Sequence, residues 1–400
     1  AMSSCCPCLF GQIDKTAEKR QEQYRKPATE TQAPAHGDKK KRKGLTALWT
    51  ALEKEDENNF LDQNSVIERA APALRARFSE APDPTSAVSV SSAAGVSVEC
   101  ENWGREMNVS PNYSGPHLTW PLTLENVRQV VGHIRTAPKC PIHQKYVAEL
   151  LGKSVAMLKQ QVQDSVYDME VPQRAPDGSM GKLVVCGDTH GHLEDFLYVM
   201  SQNGEPSDRI SYLLNGDVAD RGHFAAEILI ICLLYKQLYP RSIMINRGNH
   251  ENMEINRRRS EDGGGFYDEV MSKFSTKSSD QSVFYMFQQL FELLPLATVI
   301  SNKVFVVHGG LFRQEGALVS DVRRVNRRRQ CPTSTSKKED AMMFDTMWAD
   351  PQEGSGVVRS QRGPNCIRFG PDVTERFLRN NGLSLVVRSH EVPLSNRGFE

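Results

Sequence analysis

Four short motifs carry most of the chemistry in this 400-residue chain: Gly187-Asp188-Thr189-His190-Gly191, Gly216-Asp217-Val218-Ala219-Asp220-Arg221-Gly222, Gly248-Asn249-His250-Glu251 and His308-Gly309-Gly310. Asp, His and Asn side chains offer the oxygen and nitrogen donors that suit two close divalent metal ions. Flanking glycines let the backbone turn sharply beside such a cluster. One Asp before a Gly is ordinarily a turn residue, and a lone His is ordinarily a surface or core residue. Four such motifs in order, with two arginines and a further histidine downstream, argue instead for one shared dinuclear site.

Each motif follows an apolar run that reads as a buried strand: Lys182 to Cys186, Ile210 to Asn215, Ser242 to Asn246 and Lys303 to Val307. Helices are expected over His192 to Met200, Phe224 to Leu238, Phe284 to Leu293 and Asp372 to Asn380. Alternating strands and helices predict an α/β domain. Upstream, Leu124, Val127, Val130, Val131 and Ile134 fit one helical face, and Val147, Leu150, Leu151, Val155, Leu158 and Val162 form a stronger stripe. Val171 to Gly181, with Pro172, Pro176 and Asp177-Gly178, reads as a turn before the first strand. There is no solenoid-type internal repeat.

Composition sets the bounds. Formal net charge is zero, so global attraction to nucleic acid is not expected. No apolar run approaches the roughly 20 residues of a membrane helix, and no secretory signal is read. The nine cysteines are scattered without zinc-finger spacing, which favours a reducing, cytoplasmic compartment. Cys186 and Cys232 lie in apolar runs and are expected in the core.

Residues 1–111 read as a disordered, low-complexity tail, and residues 112–400 as the folded domain, with order expected from near Leu118. Ala81 to Gly95 reads as linker. Lys39-Lys40-Lys41-Arg42-Lys43, followed by Leu45, Leu48, Trp49 and Leu52 at helical spacing, is compatible with a nuclear-import signal, a membrane-surface patch or a target for a regulatory, calmodulin-like partner. The plain alternative is a solvated basic stretch beside a marginal helix. Ala1 before Met2 looks like a cloning remnant, and Gly is absent immediately after Met2, so myristoylation is not supported. Cys5, Cys6 and Cys8 are candidates for acylation, the one route by which a membrane association is expected; the alternative is free thiols in a tail.

The four motifs, together with Arg388-Ser389-His390-Glu391, resemble as a set the metallophosphoesterase-type Ser/Thr protein phosphatases. Leu294-Pro295-Leu296-Ala297, Trp348-Ala349-Asp350-Pro351, Arg362-Gly363 and Phe369-Gly370-Pro371-Asp372-Val373 bring the chain nearest to the protein phosphatase 5 and EF-hand (retinal-degeneration-C type) branches. The resemblance covers about residues 112–400. It implies a calcineurin-like β-sandwich flanked by helices, and two metal ions, manganese or an iron/zinc pair. Asp188 and His190 would hold one metal, Asp217 would bridge both, and Asn249, His308 and His390 would complete the second site. A hydroxide shared by metals about 3.5–4 Å apart would attack the phosphorus of phosphoserine or phosphothreonine in protein substrates. His250 would protonate the leaving oxygen, oriented by Asp220, while Arg221 and Arg362 would clamp the phosphate.

Val218 and Ala219 depart from the family, which usually has an aromatic and Val there; altered packing with intact ligation is expected. The family also continues past the last ligand with closing strands and a loop bearing a tyrosine beside the phosphate. The chain stops at Glu400, so the domain is expected to be C-terminally incomplete and a weak catalyst. Two other readings stand beside the phosphatase: a nucleotide or bis-nucleoside polyphosphate hydrolase of the same fold, and a non-catalytic phosphoprotein-binding scaffold. A cysteine phosphatase is disfavoured, since no His-Cys-x5-Arg loop occurs. Arg257-Arg258-Arg259 and the Arg323 to Arg329 cluster could attract acidic phosphopeptides, though exposed helix faces and loops explain them more simply.

Overall fold

The computed structural model describes residues 100, 102–173, 178, 180–274 and 282–392. The expectations for the N-terminal cysteines, the Lys39–Lys43 stretch with its helix, and the linker at 81–95 fall outside these residues. In chain order the described elements are α1 (Leu124–Thr136), α2 (Gln144–Gln161), β1 (Val166–Met169), β2 (Lys182–Cys186), α3 (Leu193–Asn203), β3 (Ile210–Leu214), α4 (Ala225–Leu238), β4 (Ile243–Ile245), α5 (Met253–Asn256), α6 (Phe266–Lys273), α7 (Val283–Leu293), β5 (Ala297–Ile300), β6 (Val304–Val307), α8 (Val319–Arg323), α9 (Lys338–Trp348), β7 (Asp350–Pro351), β8 (Val357–Arg359), β9 (Ile367–Phe369), α10 (Pro371–Asn381) and β10 (Leu385–Val387). None of these helices is long and apolar enough to cross a membrane.

Two sheets position the site. β2, β3 and β4 form a parallel sheet through two strand–helix–strand units, with Tyr212 opposite Val184 and Ile243. Parallel neighbours need such crossovers, and these place every following loop at the same end of the sheet. The second sheet runs β1-β5-β6-β10, with β5 and β6 antiparallel and the other two pairings parallel. A third, smaller sheet joins β7, β9 and β8.

α4 is apolar nearly all round, and every residue from Ala225 to Lys236 is buried. A helix with no polar face belongs in the interior, and α4 packs against α1, α2, α3 and β4. The two upstream amphipathic helices lie where their stripes predict: Val127, Val130, Val131 and Ile134 of α1, and Val147, Leu150, Leu151, Val155 and Leu158 of α2, are all buried. Cys186 and Cys232 are core residues.

Two expectations are corrected. Packing begins before residue 112: Cys100 is buried, and a side chain at Gly152 would meet the Cys100 carbonyl oxygen at 2.1 Å, so backbone there lies directly on α2. Its polar, small-residue composition hid that contact. The Lys182 strand is also not the first. β1 precedes it, a four-residue strand bearing Asp168 that is completed by pairing with β5. Local pattern is weak at that length, and the distant partner supplies the hydrogen bonds.

Candidate dinuclear metal site

The ligand-type residues converge at one end of both large sheets. Asp188 and His190 follow β2, Asp217 follows β3, Asn249 and His250 follow β4, His308 follows β6, and His390 follows β10. The loops meet at van der Waals range. A side chain at Gly248 would lie 2.2 Å from Asp217 Oδ1, and one at Gly216 would lie 2.6 Å from the Gly248 nitrogen. His190, Asp217, Asp220, Arg221 and His390 all have positive φ, which non-glycine residues rarely adopt. Such strain persists only where surrounding contacts over-determine the backbone.

Asp217 sits at the centre, 1 % exposed. It belongs to two groups whose ligand atoms lie within 4.8 Å of one another: His190, Asp217 and His250; and Asp217, His308 and His390. Its Oδ2 is 3.6 Å from His190 Nε2 and 3.3 Å from His308 Nε2, and its Oδ1 accepts from the His250 backbone N–H at 2.9 Å. Burial opposes its charge, but His308 and His250 hold the carboxyl well below the usual carboxylate range. Its carboxylate is common to both groups, so it has the geometry that a ligand shared by two ions would need.

The donor set fits metal ions. His308 Nδ1 faces the Asn215 carbonyl at 2.8 Å, leaving Nε2 to meet Asn249 Oδ1 at 2.9 Å and His390 Nδ1 at 3.2 Å. Several electron-pair donors thus crowd one point with few protons among them, which a cation resolves. Burial pushes the His308 imidazole down, yet Asp217 and Asp188 outweigh it and lift it to about 9, so the carboxylates call for positive charge there. Burial and His308 push His390 down to about 2, which keeps its ring neutral. His190 Nδ1 faces the Ala219 carbonyl at 2.9 Å, and burial lowers its pKa too. His190 Nε2 and His390 Nε2 are buried without a hydrogen-bond partner. Asp188 is more open, with its Oδ2 3.9 Å from His190 Nε2 and its Oδ1 accepting from the His390 N–H at 3.3 Å.

His250 lies within the first group, but its surroundings suit an acid rather than a ligand. Its Nδ1 meets Asp220 Oδ2 at 2.9 Å. Burial lowers its pKa, while Asp217 and Asp220 together raise it above the ordinary value, favouring an Nε2–H. A ligand needs a lone pair there. Asp220 is itself fixed by Asn256 Nδ2 at 2.7 Å and the Phe266 N–H at 2.9 Å. Arg221 Nη2 lies 3.5 Å from His250 Nε2, and Arg362 Nη2 reaches the His390 carbonyl at 3.4 Å while its Nε donates to Asp350 at 2.6 Å. One exposed guanidinium therefore stands beside each group.

Three supporting residues carry no role in the sequence reading. Glu251 accepts four backbone N–H groups, from Asp217, Val218, Ala219 and Gly248, at 2.8–3.1 Å. This cradle fixes the bridging loop through the spacer positions Val218 and Ala219, both fully buried. Asn256 links Asp220 to the His250 carbonyl and is held by Gln288. Asp350 pairs with both Arg362 and Arg388. Glu251 and Asp350 lie inside quoted motifs; Asn256 had no signal. Within the arginine cluster two members are corrected, while Arg324 and Arg328 are exposed: Arg327 is buried and donates to the carbonyls of Val162, Asp164 and Leu293, and Arg323 pairs with Asp168. Those side chains hold the domain together, and neither is an exposed attractor of acidic peptides.

Known proteins are similar to this chain over the region that carries these residues. A family profile described as calcineurin-like phosphoesterase matches residues 181–394. Serine/threonine-protein phosphatase T of Aspergillus oryzae is 36 % identical over 292 residues, covering 73 % of this chain and 55 % of that protein. Serine/threonine-protein phosphatase 5 of Arabidopsis thaliana is 38 % identical over 301 residues, covering 74 % of this chain and 50 % of that one. The chain thus spans about half the length of these curated relatives. Among solved structures, a protein serine/threonine phosphatase from Saccharomyces cerevisiae is similar with a TM-score of 0.58 at 35 % identity, covering 67 % of this chain and 78 % of that one. With more than half of its residues inside the matched region, the chain belongs to the calcineurin-like phosphoesterase family.

Proposed function

We propose that the chain is a metal-dependent protein-serine/threonine phosphatase acting on phosphoproteins. The observation that carries the reading is Asp217 shared between two ligand groups, with an oriented acid, His250, at their rim. Asp188, His190 and Asp217 would hold one ion, and Asp217, Asn249, His308 and His390 the other. Manganese or an iron/zinc pair suits this mixed oxygen and nitrogen set. When bound, such a pair supplies a nucleophilic water at neutral pH and charge to offset the phosphoryl oxygens.

The chain's own residues do the rest. Arg221 and Arg362 bind phosphate oxygens, where a planar guanidinium gives two hydrogen bonds at once. Both are exposed enough to reach an incoming ligand. His250 Nε2–H donates its proton to the departing serine or threonine oxygen, and Asp220 keeps the ring in the tautomer that allows it. Asn256, locked by Gln288, holds Asp220 in turn. We place the activity in the cytoplasm, with residues 1–99 serving location or regulation.

Steady-state kinetics with added manganese tests this reading. Turnover of a phosphoserine or phosphothreonine peptide is expected. Preferential turnover of a dinucleoside polyphosphate would overturn the substrate class. Tight phosphopeptide binding without turnover, in metal-loaded protein, would make the chain a scaffold.

A further inference from the structure

Behind the site runs a buried line of polar side chains that the chemistry above does not use. Thr298 of β5, Asn246 after β4 and Asn215 after β3 are 0, 0 and 1 % exposed. Thr298 Oγ1 donates to Asn246 Oδ1 at 2.7 Å. Asn246 Nδ2 donates to Asn215 Oδ1 at 2.9 Å and to the Val306 carbonyl at 3.2 Å. Asn215 Nδ2 donates to the Val307 carbonyl at 2.8 Å and to Ser389 Oγ at 2.9 Å. Every amide hydrogen is used, and reversing either amide would set oxygen against carbonyl oxygen, so the order of donors is fixed.

This ladder spans the gap between the two large sheets at their ligand-bearing ends. The backbone N–H of Asn215 donates to the Cys186 carbonyl on β2, and that of Asn246 to the Leu214 carbonyl on β3. On the far side the ladder ends at Val306 and Val307, directly before His308, and at Ser389, directly before His390. The Asn215 carbonyl itself receives His308 Nδ1. One sheet brings Asp188, Asp217 and Asn249, and the other brings His308 and His390. Buried apolar residues of similar volume would pack the same gap without such directional links.

We infer that Thr298, Asn246 and Asn215 are positioning residues that set the register between the two sheets, and with it the geometry of the metal site shared by Asn249, His308 and His390. The inference rests on the dinuclear reading of the site. Loss of such supporting partners typically costs about 10–100-fold in metal affinity. The site held by Asp188 and His190, both on one sheet, should be spared.

The test is calorimetric titration of the full chain with Mn²⁺, alongside the EPR signal of an exchange-coupled manganese pair. Asn246→Leu and the isosteric Thr298→Val should weaken one of two binding steps at least tenfold, leave the other within about twofold, and diminish the coupled signal. Thr298→Ser keeps the hydroxyl and should restore both. If Asn246→Leu does not fold, Thr298→Val, which loses a single donor, decides alone. Unchanged binding, or equal weakening of both steps, would overturn the inference. If the unsubstituted chain takes up no Mn²⁺, the dinuclear reading fails first and the inference with it. That outcome is distinct from two intact steps indifferent to Thr298.

Discussion

The two large sheets hold their shares of the site by different means. The β2-β3-β4 sheet presents Asp217 and Asn249 on buried loops, with Glu251 accepting four backbone N–H groups beneath them. The β1-β5-β6-β10 sheet presents His390 from a three-residue strand that, among the described residues, pairs on one side only and leaves Leu385 half exposed. His390 is braced by side chains and single bonds: its N–H to Asp188, Ser389 Oγ to Asn215, and Arg362 on its carbonyl. A backbone cradle fixes main-chain position, and so the ligand's origin. Side-chain bracing fixes orientation and yields more readily. The first sheet therefore supplies the rigid half of the site.

The largest expected effect probes the rigid half. Asp217→Asn removes the carboxylate common to both groups, so metal analysis should find both ions lost or strongly depleted. His250→Asn should keep the metals and lower kcat by about 10²–10⁴-fold, the range for general acid–base help. Equal metal loss in the two variants would make His250 a ligand and erase the distinction drawn between it and His190.

A smaller effect compares the two kinds of bracing. Glu251→Gln turns an amide NH₂ toward backbone donors, and each buried N–H left unsatisfied costs about 1–3 kcal/mol. Ser389→Ala leaves a single Asn215 amide hydrogen without its acceptor and should cost about 1–3 kcal/mol once, against several N–H groups disturbed at Glu251. Thermal unfolding ranks them, at roughly 2–4 °C per kcal/mol for a domain of this size. A larger drop for Ser389→Ala would reverse the comparison.

The last effect, a pH dependence, lies behind the first sheet. Lys236 of α4 is 2 % exposed and donates to the carbonyls of Pro240 and of Ile243 on β4. Burial pushes its amine down to about 7, against about 10.4 in an unfolded chain. Between those values the unfolded state binds more protons than the folded one, so stability should rise with pH, by at most about 1.4 kcal/mol per unit. Below pH 7 the full cost of a buried charge applies. Lys236→Met should flatten that rise and stabilise the protein at neutral pH. Denaturant midpoints from pH 6 to 10 measure it, and an unchanged slope would show that Lys236 is not its source.

Much of the site was legible because its residues sit in short strand–loop units. The β2, β3, β4 and β6 runs are apolar and end in Gly-flanked ligand residues, so periodicity and motif coincide. The helix after β3 was legible too, since the run Ile228–Tyr235 is apolar on every face and has no other place than the interior. β1 was not legible, because four residues with an exposed Asp168 acquire their strand partner only in β5, more than a hundred residues away. Arg327 looked like one more exposed charge. Only packing reveals that its guanidinium closes three orphan carbonyls.

By itself the sequence determined the ligand types, their order along the chain and the strands that carry them, because each depends on neighbours within a few residues. The tertiary structure decided which ligand-type atoms come within reach of the Asp217 carboxylate, that His250 sits against Asp220 with Asn256 behind it, and that Glu251 underpins the loop carrying Asp217. It also decided how far apart the two sheets hold their ligands. Those properties depend on distances between residues tens to hundreds of positions apart, set by the packing of one sheet against the other, and no local pattern encodes them.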